Sequence, residues 1–137
     1  MSYLLDTDVL SEVRKSKRDA GVAEWFTVTP PAEVHVSVLS VGEIRRGTTR
    51  LRERGDARQA LVIERWLAEV IESLEDRILP VTIEVAEVWS GFSQRRAAPP
   101  IDSLIAATAI ARNLTMVTRN TKHFGLTGVR MVNPFGG

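Results

Sequence analysis

The stretch 99-PPIDSLIAATAIARN-113 decides how this chain is read. Two prolines open it. An apolar, alanine-rich run follows that reads as a helix packed in the core. Asp102 falls in the first turn of that helix, with apolar residues around it. A carboxylate is costly where a core helix begins, so its presence asks for a reason.

Working outward, the segment before it, 83-IEVAEVWSGFSQRRA-97, reads as a helix with Val85, Val88, Trp89 and Phe92 at helical spacing, stopped by Pro99 and Pro100. The segment after it, 114-LTMVT-118, reads as a strand, and 128-GVRMVNP-134 as the last strand. At the other end, 2-SYLLD-6 is a short buried strand ending at Asp6, with Thr7 or Asp8 as cap of a helix over "DVLSEVRK". "DAGVAEWFTVT" is a second short helix, closed by Pro30 and Pro31, and "EVHVSV" is a strand by its alternation. Ser40 with Glu43 three residues on has capping-box spacing for a helix that pauses near Gly55 and Asp56. An amphipathic helix over about 57–76 and a strand over "RILPVT" complete the pattern. Strands alternating with helices predict an α/β fold with a parallel sheet covered on both faces.

The 137 residues suffice for one domain, 1–137, with a real core. Apolar content of 44% and charged content of 26% are ordinary for a globular protein. The absence of cysteine excludes disulfides, thiolate zinc sites and cysteine nucleophiles, and fits a cytoplasmic setting. No run is apolar enough to span a bilayer, and "MSYLLDTDVL" lacks the basic start of a signal peptide. Net charge is only +1, but the basic residues are mostly arginine, and six of them crowd residues 45–58. Arginine suits bidentate phosphate contacts, although a solvated helix face would account for any single one.

In a sheet of this kind, sites form beyond the carboxyl ends of the strands. Asp6 and Thr118 end two strands, Asn120 follows, and Glu43 and Asp102 are expected in the first turns of helices that start at the same edge. Three carboxylates brought together raise each other's pKa unless a cation sits among them. Oxygen-only donors suit a hard ion such as Mg²⁺ or Mn²⁺, which activates water and steadies phosphoryl charge. Capping alone would account for Glu43, and macrodipole compensation for Asp102. Asp8 reads as a cap with a possible supporting role beside the site, and Glu12 as helix surface. Trp25, Phe26, Trp66, Trp89 and Phe92 read as core or interface. Neither His35 nor His123 has a partner at ligand spacing, so both read as structural.

Four ordered segments, "LLDTDVLSE", "SVLSVGEIRRG", "PPIDSLIAATAIARNLTMVTRNTKHF" and "VRMVNPF", together resemble the PIN-domain proteins, most of all the VapC and FitB-like toxins of bacterial toxin–antitoxin pairs. The resemblance implies a three-layer α/β/α sandwich with a central parallel sheet of four to five strands, and a Mg²⁺- or Mn²⁺-dependent endoribonuclease. Carried over residue by residue, it implies Asp6 and Asp102 as metal ligands and Glu43 as a ligand or as the group that helps deprotonate the attacking water. Asn120 stands where many members carry aspartate, with Thr118 beside it. An amide there is a neutral ligand or a hydrogen-bond partner for metal-bound water, and it removes one negative charge. Arg45, Arg46 and Arg119 are the arginines nearest these positions and the candidates for RNA phosphates. The resemblance also implies a homodimer held by a small VapB/FitA-like antitoxin, with Val22, Trp25 and Phe26 as candidates for its groove.

Two other readings compete. "LLDTDVL" also fits the start of haloacid-dehalogenase-type phosphatases, with Asp6 as nucleophile, but no later paired acidic motif follows. A PIN-like scaffold that only binds RNA or a partner would be consistent with Asn120, but has no need of three carboxylates.

Overall fold

The computed structural model describes residues 1–95 and 97–136. Five strands form one sheet: β1 (Tyr3–Leu5), β2 (Val34–Ser37), β3 (Ile78–Leu79), β4 (Thr115–Val117) and β5 (Met131–Val132). Their order is β3-β2-β1-β4-β5 and every pairing is parallel. The chain therefore builds outward from β1 to β3, then returns to lay β4 on the other side of β1. That reversal opens a crevice between the carboxyl ends of β1 and β4.

Alternation along the strands feeds two cores. Leu4 and Met116 point to one face, where Ile105, Ala106 and Ala109 of α6 (Pro100–Ala111) and Phe124 cover them. Leu5 and Val117 point to the other. There they meet Val9 and Leu10 of α1 (Thr7–Val13), Ile44 of α3 (Val38–Glu53), and Leu67 and Leu74 of α4 (Ala57–Leu74). The α2 helix (Ala20–Val28) adds Trp25 and Phe26 to the rim of this second core, Trp25 meeting Tyr3 and Phe26 edge to face. Val22 is fully buried, so it packs inward and lines no open groove. The flanked five-stranded parallel sheet is the α/β arrangement expected from the sequence.

Several local readings are corrected. The cap of α1 is Asp6, not Thr7 or Asp8: its Oδ1 accepts from the Thr7 backbone N–H. The cap of α3 is Ser37, whose Oγ accepts from Leu39 N–H, so β2 ends earlier and α3 begins earlier than expected. Glu43 then lies in the second turn of α3 and caps nothing. The α5 helix (Ile83–Ser90) stops at Gly91, well short of the prolines, and Pro100 instead opens α6. Arg96, within the stretch once expected to be helical, lies outside the described residues. No helix among the described residues is long and apolar enough to cross a membrane.

Candidate active site at the carboxyl edge of the sheet

Asp6 is the centre of the edge. It directly follows β1, and its backbone N–H continues the ladder to the Val117 carbonyl at 2.9 Å. That pairing sets Asp6 beside Thr118, whose Oγ1 donates to Asp6 Oδ2 at 2.8 Å. Both side chains are buried, Thr118 completely. Thr118 Oγ1 also accepts from the Asn120 N–H at 3.0 Å, which fixes the turn after β4. Thr7, next to Asp6, donates from Oγ1 to Glu43 Oε1 at 2.6 Å and shares a 2.8 Å hydrogen bond with the buried Ser40. One continuous network thus joins Glu43, Thr7, Asp6, Thr118 and Asn120.

Asp102 stands in the first turn of α6, yet it makes no capping bond to that helix. Its Oδ2 instead lies 3.3 Å from His123 Nε2. No spacing motif points to this pair, and His123 is corrected from a structural residue to a member of the edge. A turn brings it there, His123 N–H donating to the Asn120 carbonyl at 3.0 Å. His35 stays structural, its Nδ1 3.3 Å from the Tyr3 carbonyl.

The electrostatics of the edge centre on Asp6. Burial pushes its pKa up to about 6, and the negative charges of exposed Asp8 and of Asp102 add to the rise. The bonds from Thr118 and Thr7 pull the other way without winning. Glu43 reaches this group through Thr7 and not by direct contact. Among the described residues no three acidic or imidazole side chains stand close enough to form a ready-made metal site.

The arginine candidates separate. Arg45 and Arg46 are exposed on α3, two and three residues beyond Glu43. Arg119 lines a hollow beside Asn120 and His123, and its guanidinium lies 3.8 Å over the Phe135 ring. Lys122, which the sequence reading passed over, lines the same hollow. Thr7 and Ser40 were likewise missed as connectors. Only the short spacing of Thr7 from Asp6, and of Ser40 from Glu43, could have pointed to them.

Residues 3–127 match the PIN domain model, and the chain belongs to the PIN-domain family. That membership sets aside the phosphatase reading of the first strand. More particularly, the chain is similar over nearly its whole length to bacterial toxins. It is 28% identical over 137 residues to a VapC ribonuclease of Sinorhizobium fredii, with 96% of each chain covered. It is also 28% identical over 137 residues to toxin FitB of Neisseria gonorrhoeae, covering 96% of this chain and 97% of that one. The solved FitAcB structure from Neisseria gonorrhoeae superposes with a TM-score of 0.84 at 30% identity, over 96% of this chain and 97% of that one.

Proposed function

We propose that this chain is the toxin of a toxin–antitoxin pair and cleaves RNA as an endoribonuclease dependent on Mg²⁺ or Mn²⁺. The observation that carries the reading is Asp6, a carboxylate kept buried at the switch point of the sheet with two like charges nearby and a pKa of about 6. A cation at the edge would remove that repulsion, which the bonds from Thr118 and Thr7 do not offset. The relatives named above as a ribonuclease and as a toxin support the same activity.

The donor set fits a hard divalent ion. Its acidic groups offer oxygen only, and such an ion is held by one or two carboxylates, with waters and substrate phosphate filling the rest. Asp6 and Asp102 would hold it. When bound, the ion supplies an activated water and steadies charge on the phosphoryl oxygens.

The chain's own residues do the remaining work. Thr118 holds the Asp6 carboxylate in one orientation through Oδ2. Thr7 fixes Glu43 by Oε1, leaving Oε2 as a base for the water proton. Asn120, held by Thr118 through its N–H, presents an uncharged amide at the rim of the hollow. Lys122 and Arg46 are suited to the RNA phosphates on either side, as exposed cations close in sequence to Asn120 and Glu43. The partner in this reading is a small antitoxin bound to a homodimer of this chain. Its support is that solved relatives include FitAB bound to a DNA fragment.

The test is cleavage of a mixed cellular RNA pool by antitoxin-free protein, with Mg²⁺, with Mn²⁺ and with EDTA. Asp6→Ala and Asp102→Ala run in parallel. Discrete, metal-dependent fragments absent from both variants are expected. No cleavage by folded protein under either metal, or cleavage that survives both substitutions, overturns the reading.

A further inference from the structure

We infer that His123 is a nitrogen ligand to the divalent ion held at Asp102, and that it biases this site toward Mn²⁺ and other transition ions over Mg²⁺. The inference rests on the metal-dependent reading above and adds a ligand to it. Its first support is a distance. His123 Nε2 and Asp102 Oδ2 are 3.3 Å apart. Two donors bound at right angles on an octahedral ion, with bonds near 2.1 Å, stand about 3 Å apart. The pair already has the spacing of neighbouring ligands. It is also longer than the roughly 2.7–2.9 Å of a tight ion pair between a cationic nitrogen and a carboxylate.

The second support is how the imidazole is held. Its ring stands edge-on to Phe124 with centroids 5.0 Å apart, and Phe124 is fully buried. The His123 backbone N–H is tied to the Asn120 carbonyl. The ring is therefore anchored by the core and by the same turn that carries Asn120. The third is access. Asp102 and His123 are part-exposed, at 28% and 37% of their side-chain surface, and His123 lines the hollow that Asn120 and Lys122 share. Ion, water and phosphate can reach the pair from outside.

The chemistry sets the selectivity. Mg²⁺ prefers oxygen ligands, whereas imidazole suits transition ions. A carboxylate and an imidazole side by side disfavour Mg²⁺ and favour Co²⁺ and Zn²⁺ most, with Mn²⁺, itself largely an oxygen-seeking ion, gaining less. No group of three acidic or imidazole side chains is preformed among the described residues, so Asp6 would join the pair through the ion, with water and substrate in the remaining positions.

The experiment is pulsed electron paramagnetic resonance of Mn²⁺ bound to the untagged, full-length chain, read for coupling to imidazole nitrogen. The chain has two histidines, so any coupling is assignable by substitution. Nitrogen coupling is expected in the native chain and in His35→Gln, and not in His123→Asp. Mn²⁺ affinity, titrated by the same signal, is expected to fall about 10–100-fold in His123→Ala, the scale on which metal sites respond to loss of a supporting group. His123→Asp is expected to recover Mg²⁺ binding at the expense of the Mn²⁺ preference. Should the variants fail to fold, the size of the nitrogen coupling in the native chain, large for a directly bonded imidazole nitrogen and small for a remote one, still decides whether imidazole is a ligand. Mn²⁺ that binds, is lost on Asp102→Asn and shows no nitrogen coupling would overturn the role of His123 and leave the metal reading standing. No Mn²⁺ binding to the folded chain would overturn both.

Discussion

Asp6 and Glu12 flank and end the same short helix, both are buried, and the protein treats their charges in opposite ways. Glu12 is completed from within the chain. Its Oε2 accepts from the Asp19 N–H at 2.8 Å, its Oε1 meets Lys15 Nζ at 2.9 Å, and these bonds hold its pKa below the usual carboxylate range. Asp6 also accepts two hydrogen bonds, but burial outweighs them, and its charged neighbours Asp8 and Asp102 are negative. A buried acid whose counter-charges are supplied is part of the fold. One surrounded by like charge is completed by something brought from outside. The comparison predicts that the two acids fail differently when altered.

The largest expected difference is in activity. Asp6→Asn keeps the shape of the side chain and should reduce RNA cleavage by about 100–1000-fold, the scale of removing one preorganised electrostatic group. Glu12→Gln should leave the cleavage rate within about twofold while lowering Tm. Cleavage rates on a defined fragment, with melting curves of the same samples, check both. Equal losses of activity in the two variants would break the comparison.

The pH dependence of stability carries the next effect. The pKa of Asp6 is raised from 3.8 to about 6 on folding, so the folded state holds its proton more tightly than the unfolded chain does. The stability this contributes is fully present below about pH 4 and is lost as pH rises through about 6. A shift of about two units corresponds to about 3 kcal/mol. The metal-free native chain should therefore fall behind Asp6→Asn by up to that amount in urea unfolding between pH 4 and pH 7, and Mn²⁺ should close the gap. Glu12 works with the opposite sign. Its pKa is lowered on folding, so its contribution is present above the usual carboxylate range and is lost as pH falls through its depressed pKa. A gap between native and Asp6→Asn that stays flat with pH would show that Asp6 is not held at a raised pKa.

What the sequence made legible follows from how far each signal reaches. Strand alternation and apolar helix faces are local, so the "LLD" strand, the alanine-rich α6 and the order of elements could be read directly. The switch-point position of Asp6 and Thr118 followed from that order. Boundaries were less legible because competing signals were equally good. Ser37 and Ser40 are both residue types that cap helices, and the Ser40–Glu43 spacing favoured the wrong one, while Val38 looked like strand. Glu12 looked like helix surface because its charge is local and its partner, the Asp19 N–H, is a backbone group seven residues on. His123 was misread for the same reason at longer range. Its partner Asp102 is 21 residues away, at a spacing that matches no motif.

Thr118 connects the two acids' contrast to catalysis. Thr118→Val keeps the volume but removes the donor to Asp6 and the acceptor for the Asn120 N–H. Without that donor the Asp6 pKa rises further, because the bond favours the charged form. The acid limb of the cleavage profile should move to higher pH, with a loss of about 10–100-fold at neutral pH. Cleavage rates across pH 5–8 read the shift. An unchanged acid limb would detach Asp6 from the titration.

Arg119 is the smallest and most pointed case, because it lines the hollow beside Asn120 and yet its charge also reaches the Glu12 side. Its guanidinium lies on Phe135, and its positive charge helps to hold the pKa values of Glu12 and Asp19 down. Asp19 in turn accepts the Gly136 N–H at 3.0 Å, and Gly21 lies so close to the Pro134 carbonyl that a side chain there would displace the tail. Arg119 thus packs on the tail at Phe135, while Asp19 and Gly21 hold that tail against the start of α2. Arg119→Ala should cost about 0.5–1 kcal/mol of stability, the worth of an exposed cation–π contact, and leave the KM for RNA unchanged. Lys122→Ala should do the reverse, raising KM and its salt dependence with little effect on Tm. A raised KM in Arg119→Ala would return that arginine to the RNA surface, and the boundary between the structural and the catalytic side of α1 would then run on the far side of Phe135.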